Sequence, residues 1–273
     1  MSPTPNKQAF RFRTVFISDI HLGFRGCSAA YLLDFLRSVE TETLYLVGDI
    51  IDVWSLRKSF FWPQAHNDVI RTILGKAKHG TRVIYIPGNH DAMFRDYDGM
   101  VFGNVEILRE AIHQTADGRR LLVLHGDEFD SVIKASPLLE ALGNRAYAAV
   151  LKLNRYVNFL RRAFGFPYWS VAAYAYLKHK VKNAVKYIAN FERALAHEAR
   201  RRGLDGAICG HIHRAEISQI DGVLYCNDGD WVESCTTLTE DFSGRLSLLR
   251  WTESKEVITH SGALAPCSLE QAA

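Results

Sequence analysis

RVIYIPGNHD, residues 82–91, is a run of β-branched, aromatic and aliphatic side chains that stops abruptly at Gly, Asn, His and Asp. That composition predicts a short buried strand ending in a polar cluster. The pattern recurs in TVFISDIH (14–21), TLYLVGD (43–49), RLLVLHGDE (120–128), GAICGHIH (206–213) and VLYCNDGDW (223–231). Between the first three runs lie AAYLLDFLRSVE (29–40) and HNDVIRTILGKAKHG (66–80), which are apolar at helical spacing. The N-terminal half therefore predicts βαβαβ with a largely parallel sheet. From residue 105 the character changes to hairpins. EIL and RRLLVL flank Asp117-Gly118, EISQI and VLYCN flank Asp221-Gly222, and SCTTLTE and RLSLLRW flank DFSG. Such pairs predict an α/β fold with two mixed β-sheets packed face to face and covered by helices. In open α/β sheets ligands gather outside the carboxyl ends of the strands, where all six polar clusters fall.

The chain has 273 residues, 48% hydrophobic and 23% charged, which excludes a disordered or fibrous protein. Five cysteines form no CxxC pair, and their odd, scattered number points to a reducing compartment, the cytosol by default. The sequence offers no signal-peptide core and no apolar run of about 18 residues, so membrane contact is expected to be peripheral. The net charge of +3 is unevenly placed: residues 131–203 carry +11 and the remainder −8. The basic segment suits an anionic substrate or membrane surface, or is a solvated helical face. It is expected to be a helical-hairpin insertion, with residues 1–130 and 204–273 forming the core. Leu139, Leu142, Ala146, Val150, Leu153, Val157 and Leu160 make one apolar stripe. FGFPYW (164–169) breaks it, and Ser170 caps a second helix carrying Val171, Tyr174, Leu177, Val181, Val185 and Ile188.

The strand ends supply Asp19, His21, Asp49, Asn89, His90, His125, His211 and His213. An Asp or Asn after a strand is commonly a turn residue or a cap. Together they read differently, because turns need no histidines, whereas two divalent cations need such a mixture of nitrogen and oxygen donors. His211 and His213, if extended, project to one side; on a helix they would diverge by about 200°.

The blocks DIH (19–21), GDIID (48–52), GNHD (88–91), HGD (125–127) and GHIH (210–213) resemble, in order, those of the calcineurin-like metallophosphoesterases. The resemblance implies one metal held by Asp19, His21, Asp49 and His213 and a second held by Asp49, Asn89, His125 and His211, with Asp49 shared. Two such ions, roughly 3.5 to 4 Å apart, activate water and stabilise charge on both sides of an in-line phosphoryl displacement. His90, next to a ligand, is assigned to transition-state stabilisation or leaving-group protonation. Asp91 and Asp127 are expected to orient ligating histidines from behind, or to cap turns.

The helical insertion and the tail GVLYCNDGDWVES (222–234) are most similar to the UDP-2,3-diacylglucosamine hydrolases of lipid A synthesis and their relatives. That resemblance implies release of UMP and 2,3-diacylglucosamine 1-phosphate at the cytoplasmic face of the inner membrane, with manganese the expected metal and Fe, Zn or Mg the alternatives. In the best-characterised members of that branch an Arg follows the ligand Asn, whereas here His90 does, as in the wider superfamily. The substrate is thereby left open among relatives. Within the insertion, Lys178, Lys182, Asn183 and Lys186 are the expected phosphate contacts, and interleaved aromatics offer an apolar cleft. Rival readings are a nuclease, a small-nucleotide phosphodiesterase and a non-catalytic scaffold. The apolar insertion disfavours nucleic acid, and the complete ligand set disfavours the scaffold.

Overall fold

The computed structural model describes residues 9–130 and 171–261, the side chains of 171–184 excepted. The first helix of the expected hairpin, FGFPYW and Ser170 lie outside the described residues, as do the side chains of Lys178, Lys182 and Asn183. Two compact units emerge, residues 1–127 with 195–273, and residues 128–194.

The first unit holds two mixed sheets. β1 (Phe10–Ile17), β2 (Val39–Val47), β3 (Arg82–Ile86) and β5 (Val105–Ile107) run parallel, each beside the next. β4 (Val101–Phe102) is antiparallel to β5 at one edge. β11 (Thr236–Glu240), β12 (Leu246–Arg250) and β13 (Glu256–His260) extend the other side antiparallel, giving the order β13-β12-β11-β1-β2-β3-β5-β4. The second sheet has the order β6-β7-β8-β10-β9, from β6 (Ala111–Gln114), β7 (Arg120–Val123), β8 (Gly206–Cys209), β9 (Glu216–Ile220) and β10 (Val223–Asn227). Its central trio β7, β8 and β10 is parallel.

Alternation along the strands explains why the layers stack. Val15, Ile17, Leu44 and Leu46 face one core with α1 (Ala29–Ser38) and α3 (Gln64–Lys78). Phe16, Tyr45 and Val47 face the opposite way, into a second core with Val123, Ile208 and Leu224 of the other sheet. A strand buried on both faces needs apolar residues throughout, which is why these runs lack a polar phase. α1 buries Ala29, Leu32, Phe35 and Leu36, and α3 buries His66, Val69, Ile73 and Ala77, each set at spacings of one turn. A short helix, α2 (Val53–Lys58), follows β2.

One hairpin differs from expectation. Val105–Ile107 does not pair with β7 but joins the first sheet beside β3, and β6 is the partner of β7. The exposed pair Arg109-Glu110 forms the corner between the sheets, and the two apolar runs on either side go to different layers. The hairpin across Asp221-Gly222 has φ values of +50° and +82°, those of a two-residue mirror-image turn.

In the second unit, the helix α4 (Val171–Arg201) begins immediately after Ser170 and carries residues of both units. The Tyr187 hydroxyl donates to Asp130, and burial followed by that carboxylate pushes its pKa well up. Phe129 and Phe191 meet edge to face at 6.3 Å. Val185, expected on the apolar stripe, is 61% exposed. Among the described residues, no helix is long and apolar enough to cross a membrane.

Candidate metal centre

The carboxyl ends of β1, β2, β3, β7 and β8 place their terminal residues in one cluster. Backbone bonds stitch the first two loops together: Asp19 N donates to Gly48 O (3.0 Å) and His21 N to Asp49 O (2.9 Å). Asp19, His21, Asp49, His211 and His213 all have left-handed backbones, with φ between +48° and +68°. Each such non-glycine conformation costs on the order of 1 kcal/mol or more, a strain that persists only where surrounding structure enforces it. The neighbouring glycines admit the side chains. A Cβ on Gly48 would lie 2.1 Å from His125 Nδ1, and one on Gly210 would lie 2.4 Å from Asp19 Oδ2.

Asp49 is central. Its Oδ2 lies 3.6 Å from His125 Nε2, 3.8 Å from His21 Nε2 and 3.9 Å from His90 Nε2, while Oδ1 accepts from His90 N at 2.8 Å. Asp19 Oδ1 lies 3.0 Å from His213 Nε2 and 3.7 Å from His21 Nε2, and Oδ2 accepts from His211 N. Asn89 Oδ1 is 3.3 Å from His125 Nε2, and the His211 ring stands 5.2 Å from that of His125. Three overlapping groups have ligand atoms close enough to share a cation: Asp19, His21 and His213; Asp19, Asp49 and His125; and His21, Asp49 and His90. His211 and His213 are not extended. β8 ends at Cys209, and Ile212 N turns back to Gly210 O, so the two rings face different neighbours, His125 and His21.

These donors fit divalent cations. Asp19 Oδ1 and His21 Nε2 are buried without a hydrogen bond, a cost that a cation between them would remove. His125 Nδ1 donates to Val47 O at 2.9 Å, which leaves Nε2 as the nitrogen for a metal. The imidazoles and carboxylates of the cluster favour one another's charge. Burial works against charge on His125, but Asp49 outweighs it and pushes the imidazole up to about 10. Burial would also raise Asp19, yet the His21 and His213 rings hold it well below the usual carboxylate range.

Behind the cluster, Asp52 has the role expected of Asp91 and Asp127. Its Oδ1 lies 2.9 Å from His90 Nδ1 and its Oδ2 3.4 Å from His21 Nδ1, and it also caps α2 through Ser55 N at 2.7 Å. Asp91 orients no histidine. It accepts from Gly88 N, Ile50 N and Ile51 N and from the Tyr85 hydroxyl, so it ties the two loops by their backbones. Asp127 Oδ1 accepts from Arg95 at 2.6 Å. Asp91 thus follows the turn-capping alternative, whereas Asp127 pairs with an arginine, because adjacency to a ligand in sequence does not set which way a turn points a carboxylate. Trp54 lies against His90, ring centroids 4.1 Å apart. The segment after β10 braces the site: Asn227 Nδ2 donates to Gly210 O, Ser18 Oγ to Asp228 Oδ1, and Trp231 N to Asp19 O. Asp52 stands in a block already read from the sequence, Trp54 two residues beyond it, and Asp228 in the strand-end cluster VLYCNDGDW, where nothing local assigns it to Ser18. Lys186 is exposed on α4.

A family model described as calcineurin-like phosphoesterase matches residues 12–215. A UDP-2,3-diacylglucosamine hydrolase of Psychromonas ingrahamii is 26% identical over 239 residues, 80% of this chain and 89% of that protein. A hydrolase of the same name from Photorhabdus laumondii is 28% identical over 117 residues, 42% of this chain and 48% of that protein. The DNA polymerase II small subunit of Methanothermobacter thermautotrophicus is 25% identical over 161 residues, 48% of this chain and 33% of that protein. The match thus spans half or less of the length of the latter two relatives.

Proposed function

The chain belongs to the calcineurin-like phosphoesterases, and from that premise we propose that it is a metal-dependent hydrolase of a pyrophosphate bond in a lipidated sugar nucleotide. The proposed substrate is UDP-2,3-diacylglucosamine, cleaved to UMP and 2,3-diacylglucosamine 1-phosphate. The observation that carries the hydrolase reading is the meeting of buried Asp19, His21, Asp49 and His125 with the more exposed His213, with two polar atoms left for a cation. The full ligand set is Asp19, His21, Asp49 and His213 on one side and Asp49, Asn89, His125 and His211 on the other. Bound there, two divalent ions would neutralise phosphoryl charge and make water nucleophilic near neutral pH. Manganese is the expected ion.

His90 has a separate task. Asp52 fixes its Nδ1, so Nε2 is presented on the Asp49 side, partly open to solvent, where it can donate to a phosphoryl or leaving oxygen. The substrate assignment is supported by the hydrolases named above and by the basic, aromatic composition of residues 131–203. That segment is proposed as a cap, with the phosphates contacted by Lys178, Lys182, Asn183 and Lys186 and the acyl chains lying among apolar side chains. The enzyme would then work in the cytoplasm, at the inner-membrane surface. A nucleic-acid phosphodiester is the second reading, favoured by the similarity to a polymerase subunit.

The test is turnover by manganese-loaded protein of UDP-2,3-diacylglucosamine with graded acyl chains, beside DNA and an aryl phosphodiester. Burial worth roughly 0.8 kcal/mol per methylene predicts a KM that rises up to about fifteenfold for each two carbons removed. Lys182→Glu with Lys186→Glu should impair the nucleotide far more than the aryl ester. Absent turnover of the lipid nucleotide, or indifference to chain length and charge, would overturn the substrate assignment.

A further inference from the structure

Beside the metal cluster, the core presents an exposed surface of aromatic and cationic side chains. Phe60 is 78% exposed, Trp54 48% and Phe24 41%, and Arg25, Arg57 and Lys58 are exposed among them. These residues form one surface although they come from two segments. The Arg25 guanidinium sits 4.5 Å above the Phe61 ring, and a Cβ on Gly23 would meet Leu56 of α2 at 2.6 Å. Gly23 N donates to His66 Nδ1, and the His66 ring is flanked by Phe61 and Trp62. The surface borders the site directly, because the Trp54 ring lies on His90.

Its charge is unusual for this chain. Residues 22–28 and 53–62 contain no Asp or Glu, although the chain outside 131–203 carries a net charge of −8. None of Arg25, Arg57 and Lys58 has an ion-pair partner among the described residues. A water-facing surface gains nothing from a largely exposed Phe beside cations that lack a carboxylate partner among the described residues. Aromatic rings at headgroup level, with cations against anionic phosphates, are what a bilayer interface favours.

We propose that this surface, the loop 22–28 with α2 and residues 59–62, docks the enzyme on an anionic phospholipid bilayer with the mouth of the metal site turned toward the membrane. Phe60 and Trp54 enter the headgroup layer and Arg25, Arg57 and Lys58 contact lipid phosphates. The inference rests on the lipid-substrate reading for its purpose, but its test uses no substrate. A substrate released from a bilayer would reach His90 and Asp49 without crossing bulk water.

The experiment is vesicle co-sedimentation of the full chain with phosphatidylglycerol–phosphatidylethanolamine vesicles and with phosphatidylcholine vesicles. The wild type should partition onto the anionic vesicles only, and should be released as salt is raised from about 0.1 M to about 1 M. Arg57→Glu with Lys58→Glu should lower the partition coefficient at least about tenfold. Phe60→Ser should lower it several-fold. Both variants should keep wild-type melting and wild-type turnover of a small aryl phosphodiester. Equal binding to both vesicle types, or variants that bind as the wild type does, would overturn the proposal. So would a dimer that Phe60→Ser dissociates while no vesicle binding is seen, since a second copy would then cover the surface. Failure to hydrolyse a detergent-dispersed acyl-sugar nucleotide is a separate result and bears on the substrate assignment alone.

Discussion

Asp52→Asn isolates the residue that links the candidate metal ligand His21 to the proposed proton donor His90. The carboxylate stands 2.9 Å from His90 Nδ1 and 3.4 Å from His21 Nδ1, and burial would raise its pKa were it not for His90 and Ser55, which hold it low. Asparagine keeps the acceptor oxygen and is as good a helix N-cap, so α2 should survive at a cost of a few tenths of a kcal/mol. What disappears is charge. A hydrogen bond to a charged group exceeds a neutral one by about 1 kcal/mol, and the longer His21 contact adds about half that. Together these amount to roughly 1.5 to 2 kcal/mol, or a ten- to thirty-fold fall in kcat/KM. The assay is hydrolysis of an aryl phosphodiester at saturating manganese, with metal content and melting temperature measured on the same sample. A variant that turns over at the wild-type rate with full metal would show that Asp52 only caps α2. A variant that loses all activity because it holds no metal would make Asp52 a ligand.

Other expectations follow from the same geometry. His90→Ala should keep its metal but lose roughly 10² to 10⁴ in rate, and an equal loss of metal in elemental analysis would make His90 a ligand instead. Gly210→Ala drives a Cβ to 2.4 Å from Asp19 Oδ2 and Ser18 Oγ, so metal affinity should fall roughly 10- to 100-fold, read by competition with a chelating dye. Apparent metal affinity should also rise with pH, because His125, raised to about 10, and His21 and His213, both raised, must shed protons to bind. The sign for the metal-free protein is opposite. A raised histidine stabilises the fold below its unfolded value of 6.5 and loses that contribution as pH climbs toward about 10. Calorimetric titration across that range, with melting of the metal-free chain, checks both directions, and a pH-independent affinity would refute this proton coupling.

Much of the site was legible because each block is local: an apolar run long enough to be a strand, then donors that a turn does not need. The same locality limits what can be read. Asp49, Asp52 and Asp91 are alike in sequence, each a carboxylate in a loop after a strand. One faces the cluster centre, one holds two imidazoles, and one serves backbone amides. The difference lies in left-handed turns at Asp19, His21, Asp49, His211 and His213, which no glycine marks at those positions. His211 and His213 illustrate the point, since an extended backbone would project both to one side and a tight turn separates them instead. The parallel pairing of Val105–Ile107 with β3 was likewise hidden, because a three-residue strand carries too little pattern to choose between two sheets. The partnership of Ser18 with Asp228 joins residues 210 positions apart, a relation fixed by how the sheets stack.

Metal stoichiometry tests the account most directly. Wild-type protein, stripped and reloaded with manganese, should hold about two ions per chain by elemental analysis. Asp49→Asn should melt as a folded protein while losing both turnover and most of that metal, because Asp49 Oδ2 faces His21, His90 and His125 together. Wild-type protein that is active with about one ion or fewer, or an Asp49→Asn variant that retains two ions and full turnover, would contradict a dinuclear centre built around this carboxylate.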